Sequence, residues 1–274
     1  MKSELVFILL GFVLLLNTGE GSEVLGGFSN FGIIGGEDAA PGQFPYQVSI
    51  KLCRSIFWQE ICDHFCGGSI IAPNWILTAG HCFDYGIKTK IYAGILNISE
   101  DSDFRQIIEV NQTFVHEEYR GNANPNDIRL YQLKAPLVYT ERVQPIALPL
   151  QDSDYTGEVI SSGWGYTTAG LFPHLPETLQ FQISNMPDRE TCLELCNGIS
   201  KNPFNVTTNV CTENPGKDRG TCFGDSGGPL VQNATLVGLT SWGFEPCGKK
   251  DAPSAYTRVS HYIDWIKERV PELS

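Results

Sequence analysis

The sequence predicts an all-β protein whose chain ends in a short helix. From residue 33 onward, short apolar runs are separated by Gly, Pro, Asn and Asp, which is the pattern of strands joined by turns. Such runs occupy residues 46–52, 68–72, 90–95, 229–231 and 235–241. Helical periodicity occurs only at residues 260–270, where Ile263, Ile266 and Val270 fall on one face.

The first 32 residues predict a leader that is removed from the mature protein. Residues 1–21 combine a polar start with an apolar run at 5–16 and small residues after it, which is typical of a signal peptide and too short for a membrane anchor. Residues 22–32 then form a propeptide. Residues 33–274 form the mature part, which is long enough for one large domain or two small ones. We therefore expect a secreted, extracellular protein.

Three short motifs contain candidate catalytic residues. In CFGDSGGPL, glycines flank Ser226, so its hydroxyl is expected at a tight turn where backbone N–H groups converge. Alone, this motif could also be an ordinary surface turn. LTAGHC contains His81, whose imidazole could take the hydroxyl proton, and NDIRL contains Asp127, whose carboxylate could fix the imidazole tautomer. The order His, Asp, Ser differs from that of subtilisins and α/β-hydrolases.

With these motifs the chain resembles the trypsin-like (chymotrypsin-fold) serine proteases, from Ile33 to about Val270. The segments IIGG at 33–36, FCGGS at 65–69 and SWG at 241–243 are similar to that family as well. The resemblance implies an all-β fold of two Greek-key six-stranded β-barrels with a C-terminal helix. The active site would then lie between the two barrels.

The resemblance also implies an activity, that of a serine endopeptidase that hydrolyses peptide bonds through an acyl-enzyme. Ser226 would be the nucleophile, His81 the general base and acid, and Asp127 the orienting carboxylate. The backbone N–H groups of Gly224 and Ser226 would form the oxyanion hole.

Nine cysteines in an exported chain favour disulfides over a metal site. The resemblance implies that Cys211 pairs with Cys192 or Cys196. Cys192 is favoured because it follows residues 183–185 at a sequence distance like that in the family. Cys196 would then be a free thiol or a link to another chain. The four expected disulfides are Cys53–Cys62, paired by their proximity, and Cys66–Cys82, Cys192–Cys211 and Cys222–Cys247, implied by the resemblance.

Four Asn-x-Ser/Thr sequons are candidate glycosylation sites in that compartment. Asn233 lies between two apolar runs that predict a hairpin, so it is expected at an exposed turn. The candidate sites are Asn97, Asn111, Asn205 and Asn233.

Activation is where the chain departs from the resemblance. A new α-amino group at Ile33 would pair with Asp225 and so order the oxyanion hole and the pocket. Most relatives carry Arg or Lys before that Ile, whereas this chain carries Gly32 after Phe31. We therefore expect that a protease without trypsin-like specificity frees Ile33, or that the resting form stays a zymogen.

The resemblance also implies which residues form the substrate pocket, by alignment backward from Ser226 and forward from Trp242. Gly220 falls at the pocket base where trypsin-type enzymes carry Asp, so cleavage after Arg or Lys is not expected, because the cation would be buried unpaired. Gly243 leaves one wall open and Ser254 narrows the other. Cleavage after apolar residues, in a chymotrypsin-like to elastase-like range, is predicted; Asp251 turned inward would instead admit basic residues. The expected pocket residues are Gly220, Phe223, Ser241, Trp242, Gly243 and Ser254.

The expected partners are protein or peptide substrates and protease inhibitors, and we expect a monomer. A net charge of −12 argues against binding to nucleic acid or to an anionic membrane. No motif predicts a nucleotide, haem or metal, so no cofactor is expected. The acidic cluster at residues 100–103, near the Ca²⁺ loop of some relatives, is expected to be a solvated turn.

Two alternatives compete with the enzyme. A catalytically silent serine protease homologue that acts as a binding protein usually lacks a triad residue, and this chain keeps all three. Gly80 and Arg129 do depart from the family motifs, and the sequence alone offers no reason for Arg129. A disulfide-rich structural module with a chance Ser turn would predict no processing at Ile33.

Overall fold

The computed structural model describes residues 33–84, 86–122, 124–168, 174–199, 204–213, 216 and 218–273. The predicted signal peptide and propeptide, residues 1–21 and 22–32, lie outside this part of the chain. Within it, no helix has the length and apolar character needed to cross a membrane.

Six antiparallel strands close a first β-barrel in the order β2-β3-β4-β7-β6-β5. Alternate side chains point inward, as the two-residue period of a strand requires, and Val48, Ile50 and Ile91 are fully buried in its core. After the short strand β1 (Glu37–Asp38), the barrel strands are β2 (Gln47–Ile56), β3 (Gln59–Ala72), β4 (Trp75–Thr78), β5 (Lys88–Ala93), β6 (Gln106–Val115) and β7 (Arg129–Leu133).

The second half is a curled antiparallel sheet in the order β1-β9-β8-β11-β12-β13-β10. Its two ends approach each other, since Glu213 N, just after β10, donates to Asn185 O in β9 at 2.9 Å. The new strands are β8 (Gly157–Gly163), β9 (Gln180–Met186), β10 (Asn209–Thr212), β11 (Pro229–Gln232), β12 (Thr235–Gly243) and β13 (Ser254–Arg258). The predicted fold class is confirmed. In detail, the second half has a seventh strand because β1 adds to its edge.

Two α-helices are present among the described residues. The C-terminal helix α2 (Ile263–Arg269) follows a 3₁₀ turn at Val259–Tyr262 and buries Ile263 and Ile266, as predicted. A further 3₁₀ turn, Pro271–Leu273, follows it. The other helix, α1 (Arg189–Ile199), was not predicted.

Helix α1 has a start signal in the sequence, the N-cap residue Asp188. The Asp188 carboxylate accepts a hydrogen bond from Thr191 N at 2.7 Å, which is an N-cap contact. That hydrogen bond lowers the pKa of Asp188 below its usual value. The apolar positions of the helix are dominated by Cys192 and Cys196, one turn apart, so its periodicity is weak.

A shared apolar core joins the two halves. Leu77 and Leu130 of the first barrel pack in one buried cluster with Leu236 and Leu239 of the second, and Ile266 of α2 completes it. Burial of this much apolar surface is the main force that fixes the halves against each other. Residues on facing loops of the two halves are therefore held in fixed geometry.

The structure contains four disulfides, and Cys196 is a buried free thiol. Burial raises the pKa of this thiol to about 12, so the reactive thiolate is disfavoured. Cys196 packs in the same apolar cluster as the Cys192–Cys211 pair, away from solvent. The disulfides are Cys53–Cys62, Cys66–Cys82, Cys192–Cys211 and Cys222–Cys247.

The four sequons differ in exposure. Asn233 lies at the exposed two-residue turn between β11 and β12, where Asn233 and Ala234 have φ of +48° and +58°. Asn97 and Asn111 are also exposed, whereas Asn205 is half-buried.

Candidate active site

The Ser226 turn depends on glycine at position 227. Gly227 has φ +72°, and a Cβ there would lie 1.9 Å from Thr78 Oγ1. Across the interface, Gly67 N donates to Ser226 O at 2.8 Å. This close contact between backbones presents the half-buried Ser226 at the junction of the two halves.

His81 and Asp127 are joined by two hydrogen bonds. His81 Nδ1 lies 2.8 Å from Asp127 Oδ2, and His81 N donates to Asp127 Oδ1 at 2.8 Å. A carboxylate only accepts, so in the neutral imidazole the proton is on Nδ1 and the lone pair is on Nε2. The imidazole orientation is thus fixed by a buried carboxylate.

Two hydroxyl groups from the second half also bind Asp127. Ser241 Oγ donates to Asp127 Oδ2 at 2.5 Å, and Thr257 Oγ1 donates to Asp127 O at 2.7 Å. Ser241 was expected in the substrate pocket, and it lines the cleft, but its bond to Asp127 has no local signal in the sequence. The Ser241 bond helps to satisfy the buried carboxylate, the Thr257 bond satisfies the backbone carbonyl, and together they tie Asp127, in the first half, to the second.

His81 and Ser226 line one cleft of about 1210 Å³. Phe223, Trp242 and Gly243, expected in the substrate pocket, line it too. Phe223 is mostly exposed at the rim, and no other atom lies within 4 Å of a Cβ built on Gly243, so that wall is open. The Ser226 hydroxyl, the oriented imidazole of His81 and the apolar side chains of Phe223 and Trp242 therefore share one space.

The expected pocket base, Gly220, lies next to the side chain of Ser254. A Cβ built on Gly220 would be 3.1 Å from Ser254 Oγ, and Thr221 N donates to the same oxygen at 3.3 Å. Neither Gly220 nor Ser254 lines the cleft itself. Asp251 is exposed and accepts from Gly216 N at 2.6 Å, so its carboxylate does not point into the pocket.

A second histidine, missed in the sequence, fixes the backbone at Gly224. His64 Nε2 donates to Gly224 O at 2.9 Å, and His64 Nδ1 accepts from Ser49 Oγ at 2.8 Å. Burial lowers the pKa of His64 to about 4, so the ring stays neutral and keeps these roles. Gly224 has φ +96°, and a Cβ there would lie 2.9 Å from Gly165 Cα. The expected oxyanion-hole segment is thus held on both sides.

The Asp225 carboxylate is buried in a space that only glycines leave open. It accepts from Gly165 N at 2.8 Å and from Cys222 N at 2.9 Å. A Cβ on Gly163 would lie 2.1 Å from Asp225 Oδ1, and a Cβ on Gly165 would lie 2.5 Å from Asp225 Cγ. Burial raises the pKa of Asp225 to about 7. Ile33 is fully buried.

No cation site is apparent among the described residues. Two groups of side chains lie close enough together to share a metal ion: Cys66, His81 and Cys82, and Cys53, Glu60 and Cys62. In each group the two cysteines form a disulfide, so their sulfurs are not available as thiolate ligands. In the acidic turn, Glu100 Oε2 accepts from the N–H groups of Leu96 and Asn97, and Glu100 Oε1 lies 3.3 Å from Arg142 Nη1. Both oxygens of the Glu100 carboxylate are therefore already bonded to groups of the protein.

Comparison with known proteins supports one family. A family model described as Trypsin matches residues 33–266. The chain is 36% identical to Lectizyme of Glossina austeni over 257 residues, covering 89% of this chain and 88% of that protein. It is 37% identical to Trypsin-1 of Astacus astacus, covering 86% and 98%, and 34% identical to Anionic trypsin of Bos taurus, covering 87% and 89%. The chain therefore belongs to the trypsin family of serine proteases.

Proposed function

We propose that the chain is a secreted serine endopeptidase that cleaves after apolar residues, with Ser226, His81 and Asp127 as its catalytic triad. The observation that carries this proposal is the pair of hydrogen bonds between His81 and the buried Asp127, in the cleft that also contains Ser226. This is the arrangement of a nucleophile, a base and an orienting group that acyl transfer requires.

In the proposed mechanism, the free lone pair on His81 Nε2 takes the proton of Ser226 Oγ as that oxygen attacks the substrate carbonyl carbon. The C–N bond then breaks, and the imidazolium gives its proton to the leaving amine. Water attacks the resulting ester by the same route and releases the acid and Ser226. Asp127 stabilises the imidazolium at both stages. The N–H groups of Gly224 and Ser226 stabilise the oxyanion.

Activation is proposed to require a free amino group at Ile33. Its ammonium would pair with the buried Asp225 carboxylate, which has no cationic partner among the described residues. Pairing favours the ionised carboxyl and the protonated amine. Activity is therefore expected to fall in alkali, where the amine loses its proton. Gly32 in place of Arg or Lys implies an activator without trypsin-like specificity.

The proposed preference for apolar side chains takes Gly220 as the pocket base, because it directly precedes Thr221 and Cys222, which line the cleft, although Gly220 itself does not. No carboxylate stands at Gly220, and the Ser254 hydroxyl occupies the adjacent space. A guanidinium or ammonium there would be desolvated without a partner, which disfavours Arg and Lys. Phe223 and Trp242 add apolar walls, so residues such as Leu and Met fit best.

The test is N-terminal sequencing of the secreted protein together with labelling by a phosphonofluoridate reagent. An Ile33 start with label on Ser226, and no label on Ser226→Ala, would establish the enzyme. An upstream start without label would indicate a zymogen, which Gly32→Arg followed by trypsin should convert to the active form. An Ile33 start without label would instead support the alternative, a catalytically silent homologue that acts as a binding protein.

We also propose secretion on the basis of the predicted leader, and glycosylation on the basis of the four sequons. The four disulfides are consistent with an oxidising compartment. Protein substrates and protease inhibitors are the partners that trypsin-family proteases bind, and we propose that this chain acts as a monomer without a cofactor.

A further inference from the structure

The hairpin of β2 and β3 extends beyond the first barrel. Pairing of β2 with β5 ends at Cys53 and Lys88, whereas pairing of β2 with β3 continues to Ile56 and Gln59. Residues 54–61 therefore project as a two-stranded ribbon, here called the hairpin arm. A two-stranded ribbon is marginally stable by itself, so other contacts must hold it in place.

A disulfide and ion pairs fix the base of the hairpin arm. Cys53 and Cys62 lie opposite each other across the two strands and are covalently joined. On the neighbouring strand β5, Lys88 lies 3.0 Å from Glu60, which also contacts Lys90. The tip is therefore held in a defined position relative to the barrel rather than tethered loosely.

The tip of the hairpin arm carries two exposed aromatic side chains. Phe57 is 89% exposed and Trp58 90%, and their ring centres lie 5.8 Å apart. Phe57 has φ +56°, a conformation that Gly or Asn adopts more readily, so the backbone at the tip is strained. The strain opposes folding and the exposed rings add almost no stability in return, and features of this kind concentrate at binding sites.

Strand β3 connects the tip directly to the active-site cleft. His64, Phe65 and Cys66 line the cleft, and Cys66 is bonded to Cys82, next to His81. Because His81 protonates the leaving amine, the polypeptide beyond the scissile bond leaves on this side. Trp58 stands six residues before His64, which is roughly 20 Å along an extended strand at about 3.3 Å per residue.

We propose that Phe57 and Trp58 form an exosite for apolar side chains of the substrate segment that follows the scissile bond. The inference rests on the proposed function and adds a requirement for macromolecular substrates. Rigid aromatic side chains give large contact areas at low entropic cost. Arg54 is paired with Asp63 at 2.6 Å, and the net charge is −12, so an anionic lipid surface is a poor alternative.

The experiment uses two peptides that are identical on the acyl side of the scissile bond. Each is incubated with enzyme that has been processed to begin at Ile33. One has a leaving segment of three residues, and the other has twelve, with Leu and Phe at its sixth to ninth positions. The wild-type kcat/KM for the long peptide should exceed that for the short one by about tenfold, the effect of a modest aromatic hot spot. Phe57→Ser with Trp58→Ser should bring this ratio to about one and leave the short peptide within about twofold.

The matched control is Val138→Ser with Leu150→Ser. These residues are 67% and 80% exposed and do not line the cleft, so the control removes two exposed apolar side chains elsewhere on the surface. It should keep the wild-type ratio. Equal ratios in the wild type and the tip variant would overturn the exosite, even though the short peptide is cleaved. If the wild type cleaves neither peptide and Ser226 takes no label, the proposed function itself is overturned.

Two other occupants give different results. Sedimentation with phosphatidylcholine vesicles that is lost in the tip variant would assign Phe57 and Trp58 to a membrane. A wild-type dimer that the tip variant dissociates would assign them to a second copy of the chain. Either result overturns the proposal, which expects a monomer that does not sediment with vesicles.

Discussion

The guanidinium of Arg129 donates two hydrogen bonds to the carbonyl of Gly80, the residue before His81. Nη2 lies 3.0 Å and Nε 3.3 Å from Gly80 O, and Nη1 donates to Thr113 Oγ1 at 2.6 Å. Arg129 is only 3% exposed, and no described carboxylate forms a salt bridge with it. Its charge is instead 5.3 Å from the ring centre of Phe83.

The two departures from the family motif thus meet in one contact. A Cβ on Gly80 would lie 3.0 Å from Asp127 Oδ1, so glycine keeps that position close to the carboxylate. Arg129 then holds the Gly80 carbonyl in place. We infer that this contact positions the loop that carries His81.

Arg129→Met should lower kcat by about tenfold with a smaller change in KM, because the unpaired Gly80 carbonyl costs about 1–3 kcal/mol and releases the His81 loop. Arg129→Lys should be intermediate, since an ammonium replaces the two-pronged contact with a single point charge. Steady-state kinetics on a short peptide amide measures both constants.

The control for this prediction is Arg120→Met, which removes an exposed guanidinium. It should leave kcat unchanged. A lower melting temperature in Arg129→Met without any change in kcat would show that Arg129 only stabilises the fold.

Ser241→Ala should reduce kcat by about three- to tenfold. It removes the donor 2.5 Å from Asp127 Oδ2 and leaves both bonds from His81, so the carboxylate loses part of its fixed orientation. Thr257→Val is the matched control, because its hydroxyl binds the backbone carbonyl of Asp127 and not the carboxylate. Equal losses of kcat in both variants would contradict a specific role for Ser241.

Much of the site could be predicted because its signals are local. Ser226, His81 and Asp127 each lie in a short motif, and their order along the chain separates this arrangement from others. The strands follow from short apolar runs, and the C-terminal helix from the spacing of Ile263 and Ile266.

Other features could not be predicted because their partners are distant in sequence. His64 bonds Ser49, 15 residues away, and Gly224, 160 residues away, and neither distance leaves a local pattern. Arg129 is explained only by its contact with Gly80, 49 residues away.

The uncleaved chain should lose stability as the pH rises, and Asp225 should account for part of the loss. Burial raises its folded pKa to about 7 from a usual value near 4, so the folded protein binds this proton more tightly than the unfolded chain. The contribution of the protonated Asp225 to the free energy of unfolding is complete below about pH 4 and is lost as the pH rises through about 7. Melting temperatures of the inactive Ser226→Ala precursor at pH 5 and pH 8 measure it.

Asp225→Asn in the same precursor cannot ionise, so its decline between pH 5 and pH 8 should be smaller. The exposed Asp251→Asn serves as the control and should follow the parent. Parallel declines in all three proteins would show that Asp225 does not titrate in this range.

Ser254→Gly should shift the preference of the processed enzyme toward large aromatic residues. With Gly220 as the pocket base, removing the hydroxyl next to it should deepen the pocket. A group of this size changes the free energy of discrimination between two substrates by about 1–3 kcal/mol. The ratio of kcat/KM for Phe to that for Leu should rise about tenfold on matched peptide amides. An unchanged ratio would mean that the pocket base lies elsewhere.

Adding a carboxylate at the base tests the same geometry from the other side. Gly220→Asp in the Ser254→Gly background should create cleavage after Arg and Lys, because the buried cation then has a partner. Gly220→Asp alone should show a smaller increase in cleavage after Arg and Lys. Its Cβ would lie 3.1 Å from Ser254 Oγ, which leaves the carboxylate little room. If both variants gained equally, Ser254 would not limit the pocket, and the apolar preference would rest on Gly220 alone.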